Sequence, residues 1–142
     1  MKHYLTFSEK ETKDLGKKLA SKLHGVIALS GPLGAGKTTF VQGFAKGLGI
    51  KEKIISPTFV LIRQHKIPNS KKMLFHIDLY RLENEKQLKG LGLEEIRNDS
   101  NHISLIEWAE KAKDFLPKST SYINFEALDE TKRKITVTSS LS

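Results

Sequence analysis

The stretch GPLGAGKTTF at residues 31–40 decides the fold class of this 142-residue chain. After Gly31 come four residues and then Gly36, Lys37 and Thr38, which is the spacing of a phosphate-binding loop. The apolar run GVIALSG that leads into it is typical of a buried strand, and KTTFVQGFAKGLG places apolar side chains at helical spacing. A strand, a glycine-rich turn and a helix in this order predict a P-loop α/β fold that binds a nucleoside triphosphate.

The loop offers phosphate contacts from both backbone and side chains. Its glycines let backbone N–H groups approach a polyphosphate closely, and the next helix presents its N-terminal N–H groups and the positive end of its dipole. We expect Lys37 to reach the β- and γ-phosphates and the Thr38 hydroxyl to bind Mg²⁺. The G-x-G-x-x-G pattern of dinucleotide sites is not assembled here. The predicted nucleotide contacts are Gly31, Leu33, Gly34, Ala35, Gly36, Lys37, Thr38 and Thr39.

Two acidic residues are candidates for the second half of the site. Phosphate chemistry needs an acid at the end of a neighbouring buried strand, where it holds Mg²⁺ directly or through water. Asp78 ends the run MLFHID, and Glu107 ends ISLIE. Each acid could instead be a solvated carboxylate at a strand end. We favour Glu107 as the Mg²⁺-associated acid because its apolar run is the stronger, and we expect both acids to be catalytic together with Lys37.

Three further residues have a functional and a structural interpretation. Trp108, the only tryptophan, follows Glu107 and either lines the nucleotide pocket or anchors the core. Thr58 follows the stiff Ser56-Pro57 pair; we predict that it senses the γ-phosphate or the attacking water, although it could be an ordinary loop threonine. His76 shares a strand face with Asp78, and we interpret it as a packed, hydrogen-bonded residue rather than a catalyst.

Composition and charge limit the class of protein. A hydrophobic fraction of 38% and a charged fraction of 28% are typical of a globular protein, and we expect one domain over residues 1–142. Cysteine is absent, which excludes disulfides and thiolate chemistry. No apolar run suits a membrane span or a signal peptide, so we expect a cytoplasmic protein without a membrane partner. The net charge of +8 favours an acidic partner, although lysines can simply solvate helix faces.

The remaining pattern predicts a mixed sheet. HYLTF reads as a strand, and Ser8 with Glu11 has capping-box spacing for a helix that extends to about Leu23. TFVLIRQ and KMLFHIDLY should form an antiparallel pair, and HISLIEW a buried strand. Two short helices are expected between residues 83 and 98, and another over AEKAKDFL. SYINFEAL and KRKITVTS should close the chain as a hairpin.

Four motifs in order resemble a known family. GPLGAGKTTFVQGFAKGLG, SPTFVLI, HIDLYRL and LIEWAEK closely resemble the bacterial TsaE (YjeE) family of tRNA threonylcarbamoyladenosine biosynthesis, over about residues 7–117. The resemblance implies a three-layer P-loop fold with a mixed, largely parallel sheet. It implies a weak ATPase that acts with TsaB and the catalytic subunit TsaD. Those partners modify the adenosine 3′ of the anticodon in tRNAs that read codons beginning with A, and the ATP cycle resets them between turnovers.

The family pattern also implies roles for individual residues. Lys37, Thr38 and Thr39 match its P-loop, and Thr58 matches a switch-like threonine. Glu107 matches the Mg²⁺-associated acid beside Asp78, and Trp108 the tryptophan that adjoins the nucleotide.

Other functions are less well supported by the residues. A small phosphotransferase usually needs an arginine-rich lid, but the arginines here are few and spread out. A GTPase usually has an N-K-x-D segment, which is absent, so adenine is the expected base. An independent RNA-binding module is compatible with the charge, but no RNA-stacking motif is present. Whether the positive charge contacts tRNA directly or an acidic protein partner is left open.

Overall fold

The computed structural model describes residues 1–54, 62–83, 86–89 and 102–139. Within these ranges the strands are β1 Lys2–Thr6, β2 Val26–Ser30, β3 Ile62–Lys66, β4 Met73–Asp78, β5 Ile103–Glu107, β6 Ser121–Ala127 and β7 Arg133–Thr138. The helices are α1 Glu9–Leu19, α2 Lys37–Gly47, α3 Lys86–Lys89 and a 3₁₀ helix, Ala109–Phe115. No helix of the described ranges has the length and apolar character that a membrane crossing requires.

The described strands form one mixed sheet in the order β1-β7-β6-β2-β5-β4-β3. Its centre is parallel, since β6, β2, β5 and β4 all run in the same direction. Its flanks are antiparallel: β3 pairs with β4, β7 with β6, and β1 with β7. The predicted mixed α/β sheet with a parallel core and a C-terminal hairpin is therefore confirmed, as is the antiparallel pair of β3 and β4.

Side-chain alternation divides the core between the two faces of the sheet. In β2, Ile27 and Leu29 pack with α1 and α2, whereas Val26 and Ala28 pack toward the 3₁₀ helix. The sheet therefore lies between two helical layers, which is the predicted three-layer arrangement. Because alternation also holds in β4 and β5, Asp78 and Glu107 end their strands on the same face as α2.

Two helical predictions differ from the structure at their boundaries. Helix α1 ends at Leu19, four residues before the predicted end, because the chain turns there toward β2. Leu23 is still buried, and its N–H donates to the Leu19 carbonyl. The AEKAKDFL segment forms a 3₁₀ helix that is broken at Ala112 (φ −125°). Of the two short helices predicted between residues 83 and 98, only α3 falls within the described residues.

Glycines allow α1 and α2 to pack in backbone contact. A Cβ at Gly43 would overlap the backbone carbonyl of Lys13, and one at Gly16 would overlap the carbonyl of Phe40. Both overlaps are with backbone atoms, so no side-chain rotation relieves them. The close approach of these helices sets the position of α2, and therefore that of the loop that precedes it.

We predict that Gly43→Ala lowers the free energy of unfolding by about 2 kcal/mol, because overpacking outweighs a helix-propensity gain of about 1 kcal/mol. Thermal unfolding should show a midpoint about 4–8 °C lower. Lys46→Ala, on an exposed position of the same helix, is the control and should change stability by less than about 0.5 kcal/mol. A Gly43→Ala variant more stable than the wild type would contradict the close helix contact.

Candidate nucleotide-binding site

The loop between β2 and α2 has the backbone conformation of an anion-binding turn. Gly31, Gly34 and Gly36 all have positive φ, at 139°, 79° and 103°. A Cβ at Gly31 would also overlap the backbone carbonyl of Phe125 in β6. Gly36 precedes α2 without a side-chain cap, so the N–H groups of the first turn are available to a ligand. Together with the helix dipole, these donors favour bound phosphate.

Lys37 lies inside the site rather than on the surface. It is only 5% exposed. Its Nζ donates to the Gly31 carbonyl and lies 3.6 Å from the centroid of the Trp108 ring. Desolvation lowers the pKa of the Lys37 ammonium, and the negative charges of Glu110, Glu107 and Asp78 oppose that shift. The ammonium therefore contacts the Gly31 carbonyl and the Trp108 ring, and nearby carboxylates favour its charged form.

Glu107 joins α2 to the centre of the sheet. Its Oε1 accepts a hydrogen bond from Thr38 Oγ1 at 3.1 Å, and its Oε2 lies 2.5 Å from Nε2 of His76. Glu107 is 2% exposed and His76 is fully buried. No described residue contacts Nδ1 of His76 through a hydrogen bond. Both carboxylate oxygens of Glu107 are thus oriented, one toward the loop and one toward β4.

Asp78 stands beside Glu107 at the same edge of the sheet. The two residues are register partners in the parallel pair of β4 and β5. Asp78 is 7% exposed, and its Oδ1 accepts a hydrogen bond from the N–H of Tyr80 at 2.9 Å. That bond closes the turn at the end of β4. Two carboxylates therefore face the loop from adjacent strands.

Trp108 has an unusual backbone conformation for its residue type. Its φ is 59° and its ψ is 39°, in the left-handed region that costs a non-glycine residue about 1–3 kcal/mol. The ring lies over Lys37 and 5.2 Å from the Tyr80 ring, centroid to centroid. Trp108 lines the nucleotide cavity and also packs against the core under the 3₁₀ helix. Trp108 therefore borders the cavity and contacts the core, and its contact with a nucleotide stays a prediction.

A cavity of about 660 Å³ joins these residues, a size suited to a small-molecule ligand. Its walls extend beyond the loop and the two acids to the start of α1 and to the turn between β6 and β7. Ser8, Glu9 and Thr12 line it at the start of α1, and Glu130, Thr131 and Arg133 line it at the β6–β7 turn, next to α1 because Thr6 pairs with Arg133. Arg133 Nη2 donates to the Gly34 carbonyl at 3.3 Å.

The structure brings most of the predicted site residues into this cavity. Those that line it are Leu33, Gly34, Gly36, Lys37, Thr38, Thr39, Asp78, Glu107 and Trp108. Two predicted contacts do not line it: Gly31 reaches Lys37 through its carbonyl, and the Ala35 side chain is buried in the core. Thr58 lies outside the described residues.

The sequence did not predict the following residues as part of the site, although they line the cavity: Ser8, Glu9, Thr12, Tyr80, Glu130, Thr131 and Arg133. The hairpin residues Glu130, Thr131 and Arg133 carried no recognisable signal, because their approach to the loop depends on the order of strands in the sheet. His76 was identified, but its contact with Glu107 was not. The period-2 pattern of β4 places His76 on the face of Asp78, and only strand pairing brings it to Glu107.

Comparison with known proteins agrees with this geometry. The family model described as threonylcarbamoyl adenosine biosynthesis protein TsaE matches residues 6–135. The tRNA threonylcarbamoyladenosine biosynthesis protein TsaE of Rickettsia bellii is 40% identical over 134 residues, which are 92% of this chain and 90% of that protein. The protein of the same name from Bacillus subtilis is 38% identical over 135 residues, 94% and 82% of the two chains.

A solved structure has a similar fold. The crystal structure of Bacillus subtilis YdiB matches with a TM-score of 0.78 and 33% sequence identity, over 97% of this chain and 84% of that one. The resemblance expected from the four sequence motifs is confirmed. The chain belongs to the TsaE family.

Proposed function

We propose that this chain is a Mg²⁺-dependent ATPase that acts in the formation of threonylcarbamoyladenosine in tRNA. The observation that carries the proposal is the contact of Thr38 with Glu107, 3.1 Å apart, beside the buried ammonium of Lys37. A phosphate-binding loop, a hydroxyl and a strand-end carboxylate are the parts from which phosphate-hydrolysing sites of this class are built. Membership of the TsaE family supports the assignment to tRNA modification.

Backbone N–H groups and the Lys37 side chain would bind the triphosphate. The N–H groups of the loop and of the first turn of α2 would bind the phosphate oxygens, and Lys37 would leave the Gly31 carbonyl to contact the β- and γ-phosphates. Because Lys37 is already in the cavity, this movement is a reorientation of one side chain. Trp108 and Arg133 both line the cavity and would contact the nucleotide.

The residues present fit a magnesium ion. Mg²⁺ prefers oxygen ligands and is usually bound by one or two carboxylates together with water and substrate phosphates. Thr38 Oγ1 and Glu107 Oε1 are neighbouring oxygens at the cavity wall, so these two residues would hold the ion. When bound, Mg²⁺ neutralises charge on the phosphates and lowers the barrier to cleavage of the terminal one.

Water is the proposed acceptor of the phosphoryl group. Asp78 faces the loop beside Glu107 and is suited to orient an attacking water, and we propose that Thr58 senses the γ-phosphate. A kinase would need mobile arginines to close over the phosphates. Among the described residues Arg81 and Arg133 line the cavity. The guanidinium of Arg133 donates to the carbonyls of Gly34 and Asp129. Its donors are thus engaged by the protein itself.

Partners complete the proposed role. We propose that residues 1–142 act as a single cytoplasmic ATPase domain with TsaB and TsaD, and that hydrolysis resets that complex between turnovers. The site is compatible with this role because nucleotide binding would move Lys37 away from the Gly31 carbonyl and the Trp108 ring. Such a rearrangement gives partner proteins two states to distinguish.

The test is hydrolysis of γ-labelled ATP by the purified chain with Mg²⁺, alone and with TsaB and TsaD. We expect slow release of free phosphate that the partners alter and that a chelator abolishes. A parallel reaction with a metabolite extract addresses the alternative phosphotransferase. Labelled metabolite formed without partners, in place of free phosphate, would refute the hydrolytic function.

A separate prediction concerns the residue behind Glu107. We expect His76→Leu to lower kcat for ATP hydrolysis about 10- to 100-fold, because Oε2 of Glu107 loses the ring that orients it. The apparent Mg²⁺ requirement should rise, while ATP affinity without Mg²⁺ stays close to that of the wild type. His76→Gln keeps a hydrogen-bond donor and should recover part of kcat.

Thermal unfolding of both His76 variants separates this effect from a loss of stability. Activity measured well below each unfolding midpoint is the relevant quantity. If His76→Leu and His76→Gln were equally active and matched the wild type, the contact with Glu107 would have no role in hydrolysis.

A further inference from the structure

A second groove lies on the outer surface of the helical layer. It has a volume of about 590 Å³ and is formed by α1, α2 and the loop over residues 49–54. None of the residues that the structure describes lines both this groove and the nucleotide cavity. We call it the lysine groove, because its walls carry Lys13, Lys17, Lys46, Lys51 and Lys53.

Positive charge in the lysine groove is not neutralised locally. Glu52 is the one acid among the described residues of its walls, and its Oε1 lies 3.1 Å from Nδ1 of His65. None of the five lysines forms an ion pair with an acidic side chain in the part of the chain that the structure describes. Four of the five are exposed, and Lys13 is half-buried. The groove is therefore a concentrated, accessible positive surface.

Helix stabilisation explains only part of this charge. Lys17 and Lys46 lie in the last turns of α1 and α2, where a cation interacts favourably with the helix dipole. Lys13 lies in the middle of α1, and Lys51 and Lys53 lie in a loop. A favourable interaction with a helix dipole therefore does not account for these three lysines. The five lysines together form one concave, positively charged surface, which suits a polyanion.

The chemistry of the walls favours a sugar–phosphate backbone over an acidic protein. Protein interfaces are usually anchored by aromatic or large apolar side chains in addition to charge. The large exposed hydrophobic residues of the described ranges, such as Phe7, Leu33 and Tyr80, all lie outside the groove. The described residues of its walls include no aromatic side chain and therefore offer no platform for base stacking. A surface that has lysines but no aromatic residues suits contacts to phosphate groups, and such contacts do not depend on the base sequence.

We propose that the lysine groove binds the sugar–phosphate backbone of RNA. The choice of tRNA as that RNA rests on the proposed function, whereas the groove itself is independent of the ATP site. Since the described walls of the groove and of the nucleotide cavity share no residue, RNA contact in the groove does not require a residue of the ATP site. Binding should be independent of base sequence and strongly dependent on salt.

The experiment measures binding of an unmodified tRNA transcript to the full chain by fluorescence anisotropy across salt concentrations. Lys51→Ala with Lys53→Ala should weaken binding at least about 10-fold and reduce the slope of log Kd against log salt by about 1 per lysine. The matched control is Lys71→Ala with Lys72→Ala, which removes the same charge from exposed residues outside the groove. The control should weaken binding less than about 3-fold.

Three outcomes would overturn the inference. Equal weakening by the groove pair and the control pair would mean that only net charge matters. No binding of tRNA to the wild type at low salt would exclude the groove as an RNA site. Unchanged tRNA affinity with lost capture of TsaB or TsaD would assign the groove to a protein. ATP hydrolysis by each variant is measured in parallel, so failure of the groove is distinguishable from failure of the ATPase proposal.

Discussion

Glu107→Gln should bind ATP with nearly wild-type affinity and hydrolyse it at least ~100-fold more slowly. The substitution preserves the size of the side chain and its ability to accept from Thr38, but it removes the negative charge that would hold Mg²⁺ beside the phosphates. It also alters the group that His76 contacts. The loop and Lys37 are left in place, so binding and hydrolysis should separate.

Single-turnover hydrolysis and equilibrium ATP binding measure the two quantities independently. Asp78→Asn is the matched comparison, because Asp78 is the register partner of Glu107 at the same sheet edge. We expect Asp78→Asn to lower hydrolysis less than Glu107→Gln and to leave the Mg²⁺ requirement closer to that of the wild type. If only Asp78→Asn lost hydrolysis, the roles of the two acids would be reversed.

Lys37→Ala should abolish detectable ATP turnover and weaken ATP binding at least ~10-fold. The charges of Glu110, Glu107 and Asp78 act on Lys37, so its removal takes away a positive charge that offsets them where an anionic ligand would bind. Lys37→Arg should not restore activity, because a planar guanidinium does not replace a compact ammonium in the space beside the Trp108 ring.

Binding, turnover and thermal unfolding are measured together for these variants. We expect the fold to persist, since the core between α2 and the sheet does not depend on the Lys37 ammonium. Lys46→Ala, which removes an exposed charge from the same helix, should leave turnover unchanged. Undiminished hydrolysis by a folded Lys37→Ala protein would refute the loop assignment.

The predictable part of the fold comes from local patterns. The glycines at 31, 34 and 36 and the apolar runs around them predict the strand, loop and helix, and each of these glycines has a positive φ. The strand ends at Asp78 and Glu107 were identified from their apolar runs, and their proximity follows from parallel pairing. These features depend on short segments, where residue type and backbone conformation are closely linked.

The remaining features depend on long-range contacts. Arg133 contacts Gly34 across 99 residues of sequence, and that contact requires β6 to lie beside β2. The contact of His76 with Glu107 requires β4 and β5 to pair in one register. The left-handed backbone of Trp108 has no signal in residue type, because tryptophan does not favour positive φ. Tertiary packing determines all three.

Modification of tRNA over many turnovers tests the central claim most directly. The chain is combined with TsaB and TsaD from the same organism, tRNA, ATP and an activated threonylcarbamoyl donor, and threonylcarbamoyladenosine per TsaD is measured by mass spectrometry. We predict many modifications per TsaD with the wild type, and about one with Lys37→Ala or without the chain. A folded Lys37→Ala protein that supported as many modifications as the wild type would contradict the account.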